Sequence, residues 1–150
     1  MSSKIEKVAV LGAGTMGSQI AGHLANAGIP SMLFDIKQEL AENGLKKLTE
    51  LKPAPLFNPK NIDMIEPCNY EDHVQKIKEA DWIMEAVAEK LEIKHKVYKN
   101  IIEHIKEDAI LSSNTSGIPL DDLVSVLPEN LRSRFLITHF FNPPRYMRLL

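Results

Sequence analysis

A single cysteine, Cys68, stands in the 150 residues, so no disulfide can form within the chain and a reducing, cytoplasmic setting is expected. No histidine or second cysteine sits near it at metal-ligand spacing; it reads as a small buried residue, and no metal site is expected. Long apolar runs are missing too. None reaches the roughly 18–20 residues that a bilayer requires, which excludes a membrane-spanning helix. Neither sign of charge dominates: 18 Lys and Arg face 20 Asp and Glu, and a formal net charge of −2 lacks the electrostatic footprint of a nucleic-acid binder. There is no internal repeat and no low-complexity segment. Met1-Ser2-Ser3-Lys4 leads almost at once into an apolar segment, so no signal or transit peptide is expected. The remainder, 44% hydrophobic and 25% charged, has the composition of an ordinary globular domain long enough to build its own core.

The most informative stretch is Val8-Ala9-Val10-Leu11-Gly12-Ala13-Gly14-Thr15-Met16-Gly17. An apolar strand runs directly into G-x-G-x-x-G, and a helix follows. Asp35 closes a second apolar strand, Ser31–Asp35, 18 residues after Gly17. This is the fingerprint of a dinucleotide-binding βαβ unit. Gly12 permits the tight turn, Gly14 lets the backbone approach a pyrophosphate, and Gly17 lets helix and sheet pack closely. The helix is expected from Thr15 to Ala27, ending at Gly28, with Ile20, Leu24 and Ala27 towards the sheet. Its first N–H groups, unpaired and partially positive, can hold a pyrophosphate without a lysine. At the end of the second strand, Asp35 can accept hydrogen bonds from the adenosine ribose and would repel a 2′-phosphate, which favours NAD over NADP. The plain alternative for Asp35 is an N-cap of the helix starting near Lys37.

Strand and helix patterns then alternate, predicting a Rossmann-like, doubly wound, mostly parallel sheet with helices on both faces. Helix is expected over Gln38–Leu51, with Leu40, Leu45, Leu48 and Leu51 near one face. The prolines at 53, 55 and 59 forbid its continuation. A short strand is expected within Ile62–Cys68, helix over Tyr70–Ala80, a buried strand over Asp81–Val87, and a long helix over Lys90–Ile105 with Ile93, Val97, Ile101 and Ile105 inward. Ala109–Ser112 is the next strand, followed by the polar loop Ser113–Gly117. Pro119, Asp121 and Asp122 suit the start of a short helix ending before Pro128. A last strand is expected over Arg134–His139.

The polar clusters therefore come after apolar strands, and in an open parallel sheet ligands bind beyond the carboxyl ends of the strands. That rule collects the Gly12 turn, Asp35, Glu89, the Ser113–Ser116 loop and His139 into one crevice. His139 is the candidate acid/base, because an imidazole titrating near neutrality can take a proton from an alcohol; a strand-end histidine with a structural hydrogen bond is the alternative. Ser116 and Asn114 offer neutral hydrogen-bonding groups, although Ser, Thr and Asn also favour turns and caps. Glu89 and Lys94 open a helix, where they can touch a nucleotide or simply form a solvated face. His23, His73, His95 and His104 fall on expected helices without chemical partners.

In this order the segments resemble the nucleotide-binding domain of the 3-hydroxyacyl-CoA dehydrogenases of fatty-acid β-oxidation. The resemblance covers nearly the whole chain and rests on G-A-G-T-M-G at Gly12–Gly17, E-A-V-A-E-K-L at Glu85–Leu91, S-N-T-S at Ser113–Ser116 and H-F-F-N-P at His139–Pro143. It implies that His139 is the catalytic acid/base, that Ser116 contacts the substrate oxygen and the nicotinamide side, that Asn142 supports the site, and that Glu89 and Lys94 contact NAD. With Gly12, Ala13, Gly14, Thr15, Met16, Gly17, Asp35 and Asn114, these form the expected site. The implied reaction is reversible oxidation of an L-3-hydroxyacyl-CoA to a 3-ketoacyl-CoA.

Two departures from the family stand out. Lys52-Pro53-Ala54-Pro55 and the residues after it replace much of a helical hairpin that in relatives helps hold coenzyme A. The glutamate that partners the catalytic histidine in relatives aligns just past Leu150, and the helical domain that closes the acyl-CoA cleft and forms the homodimer is not in the sequence. The chain, ending on the apolar pair Leu149-Leu150, is accordingly expected to be the NAD-binding domain, residues 1–150, of a longer protein, with little turnover of its own. Two other readings remain: a dehydrogenase of a short free hydroxy acid, against which the H-F-F-N-P corner counts, and a non-catalytic NAD-binding module.

Overall fold

The computed structural model describes residues 4–148 and 150, so the expectations resting on Met1–Ser3 and Leu149 lie outside it. Six strands form one sheet: β1 Val8–Leu11, β2 Ser31–Asp35, β3 Ile65–Asn69, β4 Trp82–Glu85, β5 Ile110–Ser113 and β6 Phe135–Ile137. Every pairing is parallel and the order is β3-β2-β1-β4-β5-β6. The chain winds outward from β1 to one edge, returns, and winds outward from β4 to the other. β1 and β4 lie side by side with Leu11 opposite Glu85, and the order reverses between them, which opens a crevice at their carboxyl ends.

Alternation along the central strands builds two apolar layers. Val8 and Val10 face one cluster with Ile20, Ala21, Leu24, Leu33 and Met84. Ala9 and Leu11 face the other with Phe34, Ile83, Tyr98, Ile101 and Leu111. Helices α1 (Thr15–Asn26) and α2 (Gln38–Glu50) cover the first face. A single helical turn, α3 (Tyr70–His73), comes after β3. Helix α4 (Leu91–Ile101), with Leu123 of α5 (Leu120–Val124) and Leu131 of α6 (Glu129–Arg132), covers the second face.

Several local expectations change once packing decides. Ala27 is exposed and Ala21 and Ala25 take the inward positions on α1, while Gly28 adopts φ 77° and ends the helix. On α2 the buried stripe is Ala41, Gly44 and Leu48, with Leu40 out in solvent. Gly44 is needed because a Cβ there would stand 2.6 Å from Ser18 Oγ and 2.8 Å from the Ala13 carbonyl oxygen. The expected helix over 70–80 breaks after His73 into a 3-10 segment, Val74–Glu79, as His73 Nδ1 turns back to accept the Asn69 N–H at 3.1 Å. Asn58 caps a 3-10 turn over Pro59–Met64, and the strand starts only at Ile65. Pro67 lies within β3, where the missing N–H is tolerated because β3 is an edge strand. Helix α4 stops at Ile101 and tightens into a 3-10 turn, and its buried side chains are Lys94, Tyr98 and Ile101 rather than Ile93 and Val97. Pro119 sits just outside α5 as its N-cap, and α6 has no counterpart among the expected elements. Strand β6 is confined to three residues, after which Thr138 N–H still donates to the Ser113 carbonyl at 3.0 Å.

Candidate functional site

The glycine turn leaves β1 with Gly12 at φ 103°. A Cβ there would come within 2.7 Å of the Ala86 carbonyl oxygen, and a Cβ on Gly17 within 1.7 Å of the Gly12 carbonyl oxygen. Both glycines are required by the fold itself. Gly14 differs: its Cβ would meet nothing within 4 Å, and its φ of −71° is open to any residue. The space beside Gly14 is thus kept clear over the start of α1. No side chain caps that helix and its first turn holds no acid, so its leading amides face the crevice with their partial positive charge unanswered.

Asp35 does not cap α2, whose N-cap is Lys37 without a side-chain bond. The Asp35 carboxylate instead accepts the Ala13 N–H at 2.8 Å and the Ile36 N–H at 2.7 Å, which ties the end of β2 to the glycine turn. Two adjoining hollows share Gly14 and Ala86–Ala88. One, of 310 Å³, runs past Asp35 between Ile36, Tyr70, Ile93 and Val97. The other, of 580 Å³, is walled by Thr15, Met16, Asn114, Ser116, His139 and Asn142.

In the second hollow the two sequence motifs meet. Ser116 Oγ lies 3.0 Å from His139 Nε2, and the imidazole packs edge-on against Phe141 with centroids 5.0 Å apart. Asn114 reaches under the corner to accept the Phe140 N–H at 2.7 Å. Asn142 Oδ1 accepts from Gln19 Nε2 at 3.1 Å, and that amide also donates to the Thr15 carbonyl at 3.1 Å, so the H-F-F-N-P corner is tied to the first turn of α1. Among the described residues no carboxylate comes within ion-pair distance of His139.

Glu89 stands behind the serine loop. Its Oε1 accepts Thr115 Oγ1–H at 2.5 Å, Ser116 N–H at 2.9 Å and Gly117 N–H at 3.2 Å, while Oε2 lies 3.3 Å from Lys94 Nζ. Burial works to raise its pKa, but the Thr115 hydroxyl, the two amides and Lys94 outweigh it and hold the carboxyl below its ordinary value. Lys94, expected to touch the nucleotide, lies beneath the surface instead. Its side chain is 1% exposed and its ammonium is committed to Glu85 at 2.7 Å, to Glu89 and to the Val87 carbonyl at 3.4 Å. Direct contact with a ligand has no surface to run through.

Sequence reasoning misses three residues of this constellation. Glu85 closes an apolar strand as Asp35 does and opens the E-A-V-A-E-K-L motif, but neither signal by itself gives it a role. Gln19 is a buried amide among the apolar residues of α1. Thr115 reads in sequence as part of a turn.

The residues present suit a dinucleotide. The uncapped helix start and the clear space at Gly14 match a pyrophosphate, and Asp35, at the end of the neighbouring strand, lines the same hollow as Gly14, where a carboxylate suits a ribose. Residues 7–150 match the family described as the NAD-binding domain of 3-hydroxyacyl-CoA dehydrogenase. The whole chain is 44% identical to part of a probable 3-hydroxyacyl-CoA dehydrogenase of Bacillus subtilis, of which it spans 22%. Some 98% of it is 43% identical to a probable 3-hydroxyacyl-CoA dehydrogenase of Deinococcus radiodurans, of which it spans 44%. Among solved structures, (S)-3-hydroxybutyryl-CoA dehydrogenase of Ralstonia eutropha superposes with a TM-score of 0.81 at 29% identity, over 96% of this chain and 52% of that one. The chain therefore spans less than half the length of the Bacillus and Deinococcus relatives.

Proposed function

The chain belongs to the 3-hydroxyacyl-CoA dehydrogenase family as an NAD-binding domain, and on that premise we propose that it is the cofactor half of an oxidoreductase interconverting an L-3-hydroxyacyl-CoA and a 3-ketoacyl-CoA. The observation that carries the reading is the 3.0 Å contact of Ser116 Oγ with His139 Nε2 on the wall of the hollow that begins at the glycine turn.

In the oxidative direction His139 takes the proton of the substrate hydroxyl as the carbon loses its hydride, and in reverse it returns that proton to the carbonyl oxygen. Ser116 can donate to that oxygen or accept from it, so it serves both the alcohol and the carbonyl. When bound, NAD supplies the hydride acceptor. Asp35 accepts from the ribose hydroxyls and disfavours a 2′-phosphate, the amides of Thr15, Met16 and Gly17 hold the pyrophosphate, and Asn114 and Asn142 fix the corner from which His139 projects. Glu89 presents the serine loop and lines the approach to the ribose. The role of Lys94 is indirect, exerted through its two carboxylate partners.

Coenzyme A thioesters are favoured over free hydroxy acids because the histidine corner and the serine loop occur here together. In this reading a helical domain beyond residue 150 closes the acyl-CoA cleft, supplies the carboxylate that orients His139 and forms a homodimer, in a cytoplasmic protein. NADH oxidation by the longer protein that carries this chain, with acetoacetyl-CoA and longer 3-ketoacyl-CoA thioesters, is the test. Turnover falling about 10²–10⁴-fold in His139→Gln is expected, the usual contribution of a positioned acid/base. NADH binding with no turnover at any acyl length would overturn the catalytic reading and leave a binding module.

A further inference from the structure

Under the serine loop lies a buried charge cluster centred on Glu85, a residue given no part in the chemistry above. Its side chain is wholly buried, and all of its acceptor capacity is used. Oε1 accepts from Lys94 Nζ at 2.7 Å and from the Val87 N–H at 2.8 Å; Oε2 accepts from Ser113 Oγ at 2.5 Å and from Tyr98 OH at 3.0 Å. The donors come from β5, α4 and the turn after β4, so one carboxylate gathers three segments at the floor of the crevice.

We propose that Glu85 is a positioning residue of this site: through the ammonium of Lys94 it holds Glu89 where Glu89 orders the Ser116 loop against His139. The inference rests on the reading that the nicotinamide end of the cofactor lies along that loop. The contacts form an unbroken line. Glu85 holds Lys94 at 2.7 Å, Lys94 holds Glu89 at 3.3 Å, Glu89 accepts the Ser116 N–H at 2.9 Å, and Ser116 meets His139 at 3.0 Å.

Physical economy favours this role over a purely structural one. A buried ion pair adds little net stability, because desolvation offsets its attraction, and well-packed apolar side chains of equal volume serve a fold as well or better. What an apolar cluster cannot do is reach up to the rim and fix a carboxylate there. Glu89 is 44% exposed on its side chain and would otherwise exchange the loop amides for water. Lys94, pinned from below by Glu85, removes that freedom.

The test uses the 150-residue chain and two ligands, NADH and ADP-ribose, which has the adenosine and pyrophosphate but no nicotinamide. Titration calorimetry is run on the wild type, Glu85→Gln, Glu89→Gln and the double variant, with melting curves for each. Glu85→Gln is expected to weaken NADH about tenfold and leave ADP-ribose within twofold. The double variant should be no worse than the weaker single variant, because both act along one line of contacts. Equal losses for both ligands, no change in NADH, or fully additive losses would each overturn the proposal. A wild type that binds NADH no better than ADP-ribose would overturn the underlying reading of the site and the proposal with it. If Glu85→Gln does not fold, Lys94→Gln breaks the same line between Glu85 and Glu89; a selective loss of about threefold or more for NADH is then expected, and no selective loss overturns the proposal.

Discussion

At the scale of single residues, the three glycines of one motif do separate physical work, and substitution separates them. Gly17→Ala forces a Cβ to 1.7 Å from backbone oxygen and cannot be absorbed without moving the turn, so a destabilisation of at least ~1–3 kcal/mol is expected from overpacking. Gly14→Ala meets no atom and needs no unusual φ. It should melt within a degree or two of the wild type yet lose NADH affinity by an order of magnitude or more, since the new methyl occupies the cleared space. A Gly14→Ala variant that binds NADH normally would remove the pyrophosphate from this turn. Asp35→Ala adds the complementary expectation: weaker NADH and a narrower gap between NADH and NADPH, read by fluorescence titration. The same variant also deletes the acceptor of the Ala13 N–H, so its melting curve belongs beside the titration. Cys68 offers a simpler check. Burial, aided by Glu66, raises its thiol pKa to about 11, so at pH 8 it should react with a disulfide reagent only after denaturation.

At the scale of elements, the pieces fixed by local pattern were legible and those fixed by tertiary partners were not. The β1–turn–α1 unit could be read because apolar run, glycine spacing and helix succeed one another in the chain. The inward face of α4 could be read only in part. Periodicity pointed to Ile93, Val97, Ile101 and Ile105: Ile101 is buried and Val97 and Ile105 pack partly against the core, but Ile93 is exposed, and Lys94 and Tyr98 are buried because Glu85, distant on a strand, satisfies both polar ends. No property of the helix sequence reveals that carboxylate. The Ser113–Ser116 loop shows the same limit, since turn chemistry and site chemistry use the same residue types and only Glu89, bonded to the loop from behind, sets them apart. Glu89 also makes the loop sensitive to acid. Its folded pKa is lowered, so its carboxylate orders residues 115–117 above the ordinary carboxylate range, and that order is lost as pH falls through the lowered value. Amide exchange at Ser116 and Gly117 should therefore be slow, once corrected for the intrinsic rate, through the ordinary carboxylate range and should accelerate only below it; in Glu89→Gln the acceleration should vanish. The proline-rich 52–60 segment, read only as non-helical, is fastened by Asn26, which donates to the Pro55 carbonyl at 2.8 Å and accepts the Phe57 N–H at 2.8 Å, and by Arg145 on the Leu56 carbonyl at 2.9 Å. Its order comes from partners 29 to 92 residues away.

At the scale of the whole molecule, the sheet has two ends with different duties. The carboxyl ends of the strands carry the crevice; the amino ends carry a fastening built on Asp81. Its Oδ2 accepts the Glu6 N–H at 2.8 Å and the Lys7 N–H at 3.0 Å, Oδ1 pairs with Lys106, and its backbone joins Lys7 to Ile110, so one residue ties the lead-ins of β1, β4 and β5. The hydrogen bond from Lys106 is the largest of the interactions that hold its carboxyl below the ordinary value. The sign comes from linkage: a folded pKa below the unfolded one gives stability that is complete above the unfolded value and disappears as pH drops through the folded one. Asp81→Asn keeps the shape and removes the charge. Losing charge-assisted bonds of this kind costs ~1.5–3 kcal/mol, enough to lower Tm at pH 7 by several degrees for a chain of this size. The gap between variant and wild type should close as pH falls below the ordinary carboxylate range and the wild-type carboxyl itself becomes protonated. NADH affinity at pH 7 should stay within twofold, because Asp81 lies at the opposite edge from Gly14, Ser116 and His139. A melting difference that persists unchanged into strong acid would show that the side chain acts by packing rather than by charge. A large loss of NADH affinity would show that the two edges of the sheet are not mechanically independent.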